Sequence, residues 1–217
     1  MRKLIDSGQA QIAESKSYRA TRPWLTRLAD LLTRPLVATP VTPNHLTTLS
    51  LVLAAGSGLA YASGYPDWMN AGALMFMATR LIDNMDGALA RRKGLSSLLG
   101  ERYDQIVDTL SYVFLFAGIA YGLRHGTSGY WLEILACLAI LAGVTNTLVR
   151  VRAEARLGRQ VKSFPTFAGF QADDGILLIG PATWLGLLQP FFVLVCVGAT
   201  IFGLWTTYSL GLRLRRG

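Results

Sequence analysis

The chain has 217 residues, 52% of them apolar and only 16% charged, and its 21 Lys+Arg against 13 Asp+Glu give a formal net charge of +8. A soluble domain is nearer a quarter charged, a disordered chain is less apolar, and a mean hydropathy of +0.37 speaks against a nucleic-acid binder. Cys137 and Cys196 sit in separate apolar stretches, too few for a disulfide framework and too far apart for a zinc site. The length fits one domain, and the class that remains is an all-α integral membrane protein.

The first 23 residues are polar and lack the apolar run of a signal peptide. From Trp24 to Arg34, Trp24, Leu25, Leu28, Leu31 and Leu32 recur at helical spacing, with Arg27, Asp30 and Arg34 at other positions. This predicts an N-terminal amphipathic helix, either lying in the membrane interface or packed on the bundle. Pro35, Pro40 and Pro43 then break the chain, with Asn44 as the expected N-cap of the first span and His45 helping to seat it. Residues 1–41 read as a cytoplasmic segment and 42–217 as a membrane domain.

A span needs roughly 20 mostly apolar residues. Candidates run over 45–64, 71–89, 100–123 and 130–149. The uncharged stretch 175–212 would be about 57 Å long as one helix, too long for one crossing, so Gln189-Pro190 is the expected break between two more. The expectation is a bundle of six transmembrane helices. Nineteen of the 21 basic residues fall on one side: before the first span, between the second and third, after the fourth and at the C-terminus. Arg124 lies on the other side and Arg80 within a span. The positive-inside rule then makes both termini cytoplasmic. His125 falls on the side poor in basic residues. Lys162 and the loop Phe164-Pro165-Thr166-Phe167 read as interfacial anchors.

Acidic residues inside spans cost about 2.5–3.5 kcal/mol each on insertion scales, yet Asp83, Asp86, Asp104 and Asp108 lie together here. The first two are i,i+3 and the last two i,i+4, so each pair shares a helix face. An antiparallel pairing about residues 95–96 would match Asp83 with Asp108 and Asp86 with Asp104 in depth. Four carboxylates in one place need positive charge. Oxygen-liking divalent cations supply it, and two metals suit phosphoryl chemistry. Gly87, Ala90 and Gly100 leave room for a ligand, and Arg91 is a candidate phosphate partner. Two other readings compete: intramembrane ion pairs with Arg80, Arg91 and Arg102, or a small cation or proton transporter.

Residues 83–108, DNMDGALARRKGLSSLLGERYDQIVD, resemble the signature of the CDP-alcohol phosphatidyltransferase family, D-x2-D-G-x2-A-R-x8-G-x3-D-x3-D. All eight fixed positions match: Asp83, Asp86, Gly87, Ala90, Arg91, Gly100, Asp104 and Asp108. Thr42-Pro43-Asn44 is similar to the family's usual entry to the first span. The resemblance implies transfer of a substituted phosphoryl group from a CDP-alcohol, CDP-diacylglycerol foremost, to an acceptor hydroxyl, with release of CMP. It implies two divalent ions, Mg²⁺ or Mn²⁺, on Asp83, Asp86, Asp104 and Asp108, with Asp108 also the general base. Asp83, Gly87, Ala90, Arg91 and Gly100 would line the nucleotide and diphosphate site. A homodimer in a bacterial inner or cell membrane, with the site open to the cytoplasm, is implied too.

Leu148–Gly158, LVRVRAEARLG, is similar to a stretch of phosphatidylinositol-phosphate and related synthases, so Arg150 and Arg152 are candidates for binding a phosphorylated acceptor such as inositol phosphate or glycerol 3-phosphate. Positive-inside anchoring explains the same arginines. Where those synthases have an Arg-rich segment before the fifth span, this chain has Gln171-Ala172-Asp173-Asp174. Thr109-Leu110-Ser111 resembles members that handle serine, choline or ethanolamine, and a lipid alcohol is a further candidate.

Overall fold

The computed structural model describes residues 24–124, 130–157 and 172–216. Expectations placed on residues 1–23, His125, Arg159, Lys162, the 164–167 loop and Gln171 fall outside them, as do those on the side chains of Asp173 and Asp174. The described residues form helices and no strand. They are α1 (Trp24–Leu32), α2 (Pro43–Ala62), α3 (Pro66–Lys93), α4 (Leu98–Leu123), α5 (Trp131–Leu157), α6 (Ile179–Trp184) and α7 (Leu188–Arg216), with 3₁₀ stretches at Pro35–Ala38 and Ala172–Leu178.

Four of these helices are long and apolar enough to cross a membrane: Pro43–Ala62, Leu98–Leu123 and, within α5 and α7, Trp131–Ala153 and Leu188–Ser209. The second and fifth expected spans differ from these. α3 has 28 residues, about 42 Å, but Arg80, Asp83 and Asp86 interrupt its apolar surface. The fifth is a 3₁₀ stretch followed by the six residues of α6, together about 23 Å. Its break from α7 falls at Leu185–Leu187, earlier than Gln189-Pro190, where Gly186 takes φ +71°. Pro190 instead sits in the first turn of α7, where its missing N–H would have no helical partner anyway.

Local chemistry explains the other ends. The N-cap of α2 is Thr42 rather than Asn44, because Pro43 fills the first helical position at no hydrogen-bond cost. His45 seats the turn, its Nδ1 accepting from the Thr42 N–H at 3.3 Å. α3 ends on Gly94 at φ +66°, the left-handed cap that glycine adopts without penalty. Ser97 caps α4 by accepting from the Gly100 N–H at 3.1 Å.

α1 packs on α3 through Leu25 and Ala29, both buried, while Trp24, Leu28, Leu31 and Leu32 remain exposed. The Arg92 guanidinium donates to the Asp30 carbonyl at 3.1 Å. Lys93 Nζ donates to the carbonyls of Thr39 and Val41 at 2.6 and 2.7 Å, tying the proline-rich linker to the end of α3. The core of Tyr61, Phe76, Leu115, Ile119, Leu132 and Phe192 joins α2, α3, α4, α5 and α7.

α2 packs against both α3 and α4, whereas those two make few direct contacts. The sequence had suggested a paired α3 and α4; α2 is instead their shared wall. Glycines permit it. A Cβ on Gly118 would run into the carbonyl of Gly58, and one on Gly122 into the carbonyl of Tyr61, so α2 and α4 meet backbone to backbone. The turn Gly94–Ser97 then carries α3 into α4 beyond the N-terminal end of α2.

Candidate active site

Three carboxylates converge where α3 and α4 face each other past α2. One oxygen each from Asp83, Asp86 and Asp104 lies within 4.8 Å of the others. Asp86 is 4% exposed, and its Oδ2 accepts from the Thr47 hydroxyl of α2 at 2.5 Å. Thr47 is itself buried and also donates to the Pro43 carbonyl at 3.2 Å. Oδ1 of Asp104 is buried without a hydrogen-bond partner. Leaving such an oxygen unsatisfied costs free energy. An all-oxygen donor set with an unpartnered buried carboxylate oxygen fits a hard divalent cation, so Asp83, Asp86 and Asp104 are the residues that would hold one.

Asp108 is tied to the same region through an arginine. Its Oδ1 accepts from Nη1 of Arg80, and the same nitrogen lies 3.3 Å from Oδ2 of Asp83. Arg80 is 8% exposed, with its guanidinium 5.4 Å from the centre of the Tyr112 ring. The ion-pair reading of the acids therefore holds for Asp83 and Asp108, through Arg80. Arg91 and Arg102 are exposed.

The remaining motif residues lie on the same two helices. A Cβ on Gly87 would meet the Arg91 guanidinium at 3.4 Å, so Arg91 folds back along α3 over that glycine. Ala90 is half-buried one turn further on. A Cβ on Gly100 would meet Ser97 Oγ at 3.1 Å and Asn44 Oδ1 at 3.7 Å, which places the start of α4 against the start of α2. Nearby, Thr48 Oγ1 and the Tyr103 hydroxyl are 2.9 Å apart.

Beside Asp108 opens a cavity of about 570 Å³ between α4, α5, the Ala172–Leu178 stretch and α7. Its polar wall comprises Asp108, Thr109, Asn146, Thr147 and Arg150, and apolar residues such as Phe116 and Phe191 continue it inward. Asn146 is fixed across the bundle, its Oδ1 accepting from the Thr206 hydroxyl at 3.0 Å. Arg150 and Arg152 do not form one site. Arg150 lines the cavity, while Arg152 is exposed and is not among the described lining residues. Two residues apart on a helix point to different faces.

The model of CDP-alcohol phosphatidyltransferase matches residues 40–207. This chain belongs to that family. It is 31% identical over 166 residues to a bifunctional IPC transferase and DIPP synthase of Rubrobacter xylanophilus, covering 76% of this chain and 35% of that protein. It is 30% identical over 134 residues to an archaetidylinositol phosphate synthase of Methanothermobacter thermautotrophicus, covering 62% of this chain and 63% of that one. The chain thus spans about a third and somewhat under two thirds of those two relatives. The fold is similar to that of Mycobacterium tuberculosis phosphatidylinositol phosphate synthase solved with CDP-DAG bound, with a TM-score of 0.68 at 20% identity over 85% of this chain and 94% of that one. The same protein solved with manganese and citrate gives 0.68 at 21% identity, covering 84% and 88%.

The geometry adds two site residues to the family's motif. Thr47 escapes a reading by charge because it is an uncharged residue in an apolar span, and the paired Thr47-Thr48 is its only signal. Arg80 is visible in the sequence as a basic residue inside a span, but its partners depend on how α3 and α4 meet.

Proposed function

We propose that this CDP-alcohol phosphatidyltransferase moves a substituted phosphoryl group from CDP-diacylglycerol to the hydroxyl of a phosphorylated polyol, inositol phosphate foremost, and releases CMP. The observation that carries this reading is the convergence of Asp83, Asp86 and Asp104 with Asp104 Oδ1 buried and unpartnered. A divalent ion held there, Mg²⁺ or Mn²⁺, would neutralise charge on the diphosphate and on the departing CMP. The relatives named for inositol-containing products support the acceptor class, and the related structures with CDP-DAG and with manganese support donor and metal.

In this reading Asp108 takes the proton of the acceptor hydroxyl as that oxygen attacks phosphorus in line with the leaving CMP. The bond that forms is acceptor oxygen to phosphorus; the one that breaks joins phosphorus to the CMP oxygen. The cavity beside Asp108 admits the acceptor, and Arg150 at its polar wall binds the acceptor's phosphate by charge-assisted hydrogen bonds. Gly87, Ala90, Arg91 and Gly100 leave the approach to Asp83 open for the nucleotide and its diphosphate. Arg152 has no part in the acceptor site and serves as a positive-inside anchor.

Six crossings complete the topology: α3 and the 3₁₀–α6 segment join the four apolar helices, with both termini and the site on the cytoplasmic side. The membrane domain begins near residue 42. α1 lies in the interface, Leu25 and Ala29 against α3 and Trp24, Leu28, Leu31 and Leu32 towards lipid. The functional unit is a homodimer in a cell membrane.

The test is CMP release by the purified protein from CDP-diacylglycerol with inositol phosphate, glycerol 3-phosphate, inositol, serine or a lipid alcohol. Turnover is expected with a phosphorylated polyol. It should vanish on chelation, return with Mg²⁺ or Mn²⁺, and be absent in Asp108→Asn. Turnover that survives chelation, or a normal rate in Asp108→Asn, would overturn the reading.

A further inference from the structure

Three of the four motif carboxylates gather within 4.8 Å, and the fourth is held by a buried arginine that lies outside the eight fixed motif positions. Arg80 is anchored from two other directions, by Asp83 and by the face of Tyr112. Asp108 Oδ1 accepts from Nη1, the same guanidinium nitrogen that lies 3.3 Å from Asp83 Oδ2. Tyr112 and Asp108 line the same cavity, so the arginine stands behind the cavity wall and holds the carboxylate in it.

We propose that Arg80 is a positioning residue for Asp108. It engages one oxygen of that carboxylate and leaves the other for the acceptor proton. The role rests on the reading of Asp108 as the base. A second consequence is electrostatic and does not depend on that reading. Arg80 contributes a positive charge beside Asp83, so it weakens the hold of the carboxylate trio on a divalent cation. Its removal should tighten cation binding, whereas a merely structural arginine would loosen it when lost.

Two variants separate these effects. Arg80→Lys keeps the charge but lacks the planar head that lies over Tyr112 and the full reach to Asp108. Arg80→Met removes the charge at similar volume. In the purified full-length protein, kcat and KM for CMP release and the binding of Mn²⁺ alone, read from the electron paramagnetic resonance of the free ion, are measured for each. Arg80→Lys should lower kcat about 10–100-fold, in the range of general-base effects, with KM for CDP-diacylglycerol and the Mn²⁺ affinity within twofold of the parent. Arg80→Met should bind Mn²⁺ roughly tenfold more tightly.

A kcat for Arg80→Lys within twofold of the parent overturns the proposal. So does a loss of Mn²⁺ affinity in Arg80→Lys that parallels its kcat, which marks a structural role. An Arg80→Met protein that folds but binds Mn²⁺ no more tightly overturns the electrostatic part; if it does not fold, Arg80→Lys decides alone. A parent protein without turnover counts against the proposed function, while the Mn²⁺ titrations still decide whether Arg80 opposes cation binding.

Discussion

Thr47 reaches the buried Asp86 with one hydroxyl from a helix that carries no acidic residue. The bond restrains one carboxylate of the trio from α2. Losing a hydrogen bond to a charged group costs about 1.5–3 kcal/mol, so Thr47→Val should reduce the CMP-release rate about tenfold or more, while Thr47→Ser retains most of it. Comparing kcat in the two variants checks this; equal rates would remove Thr47 from the site. At this scale the sequence was most readable for residues that are chemically out of place. Four aspartates in apolar surroundings and the offsets of the motif declared themselves. A threonine in a span does not stand out, because its hydroxyl can always bond to its own helix. The Arg150–Arg152 pair was ambiguous for a related reason: charge alone marks a membrane boundary and a phosphate site in the same way.

Among the elements, the crossing of α2 and α4 decides where the carboxylates meet. Gly58 and Gly118 allow the two backbones to touch, and a methyl group at Gly118 would occupy the place of the Gly58 carbonyl. Overpacking of this kind costs about 1–3 kcal/mol, more than the helix propensity gained by replacing glycine. Gly118→Ala should therefore lower the thermal midpoint in detergent, and Gly143→Ala, on a glycine with open space around it, should not. Helix positions were legible from runs without charge, and the start of α4 at Leu98 lies within two residues of expectation. What the sequence did not reveal was the wedge of α2. Spacing within a chain assigns faces to a helix, but which neighbour each face meets depends on small residues that carry no charge and no period. The shifted break before α7 has a similar cause, since a proline marks a helix start as readily as a helix end.

Across the whole molecule, charge sorts by position. The exposed Arg91, Arg92 and Arg102 cluster around the turn that joins α3 to α4, while Arg124, paired with Glu133 at 3.6 Å and flanked by the rings of Tyr121 and Tyr130, belongs to the opposite end. Single cysteines test the proposed topology in a background with Cys137 and Cys196 replaced by alanine. In intact cells an impermeant maleimide should label Ser128→Cys and spare Ser96→Cys, with both labelled after permeabilisation. The reverse pattern would invert the topology.

The contact between Gly58 and Gly118 has a mechanical consequence. Asp104 lies 14 residues from Gly118 along α4, about 21 Å, so the glycine contact is a fulcrum and the N-terminal half of α4 a lever arm. A fraction of an ångström of separation forced at the fulcrum tilts the arm and moves Asp104 relative to Asp86. Glycines with no chemistry of their own thereby set the bite of the site, and an injury to them would be read at a distance as an injury to catalysis.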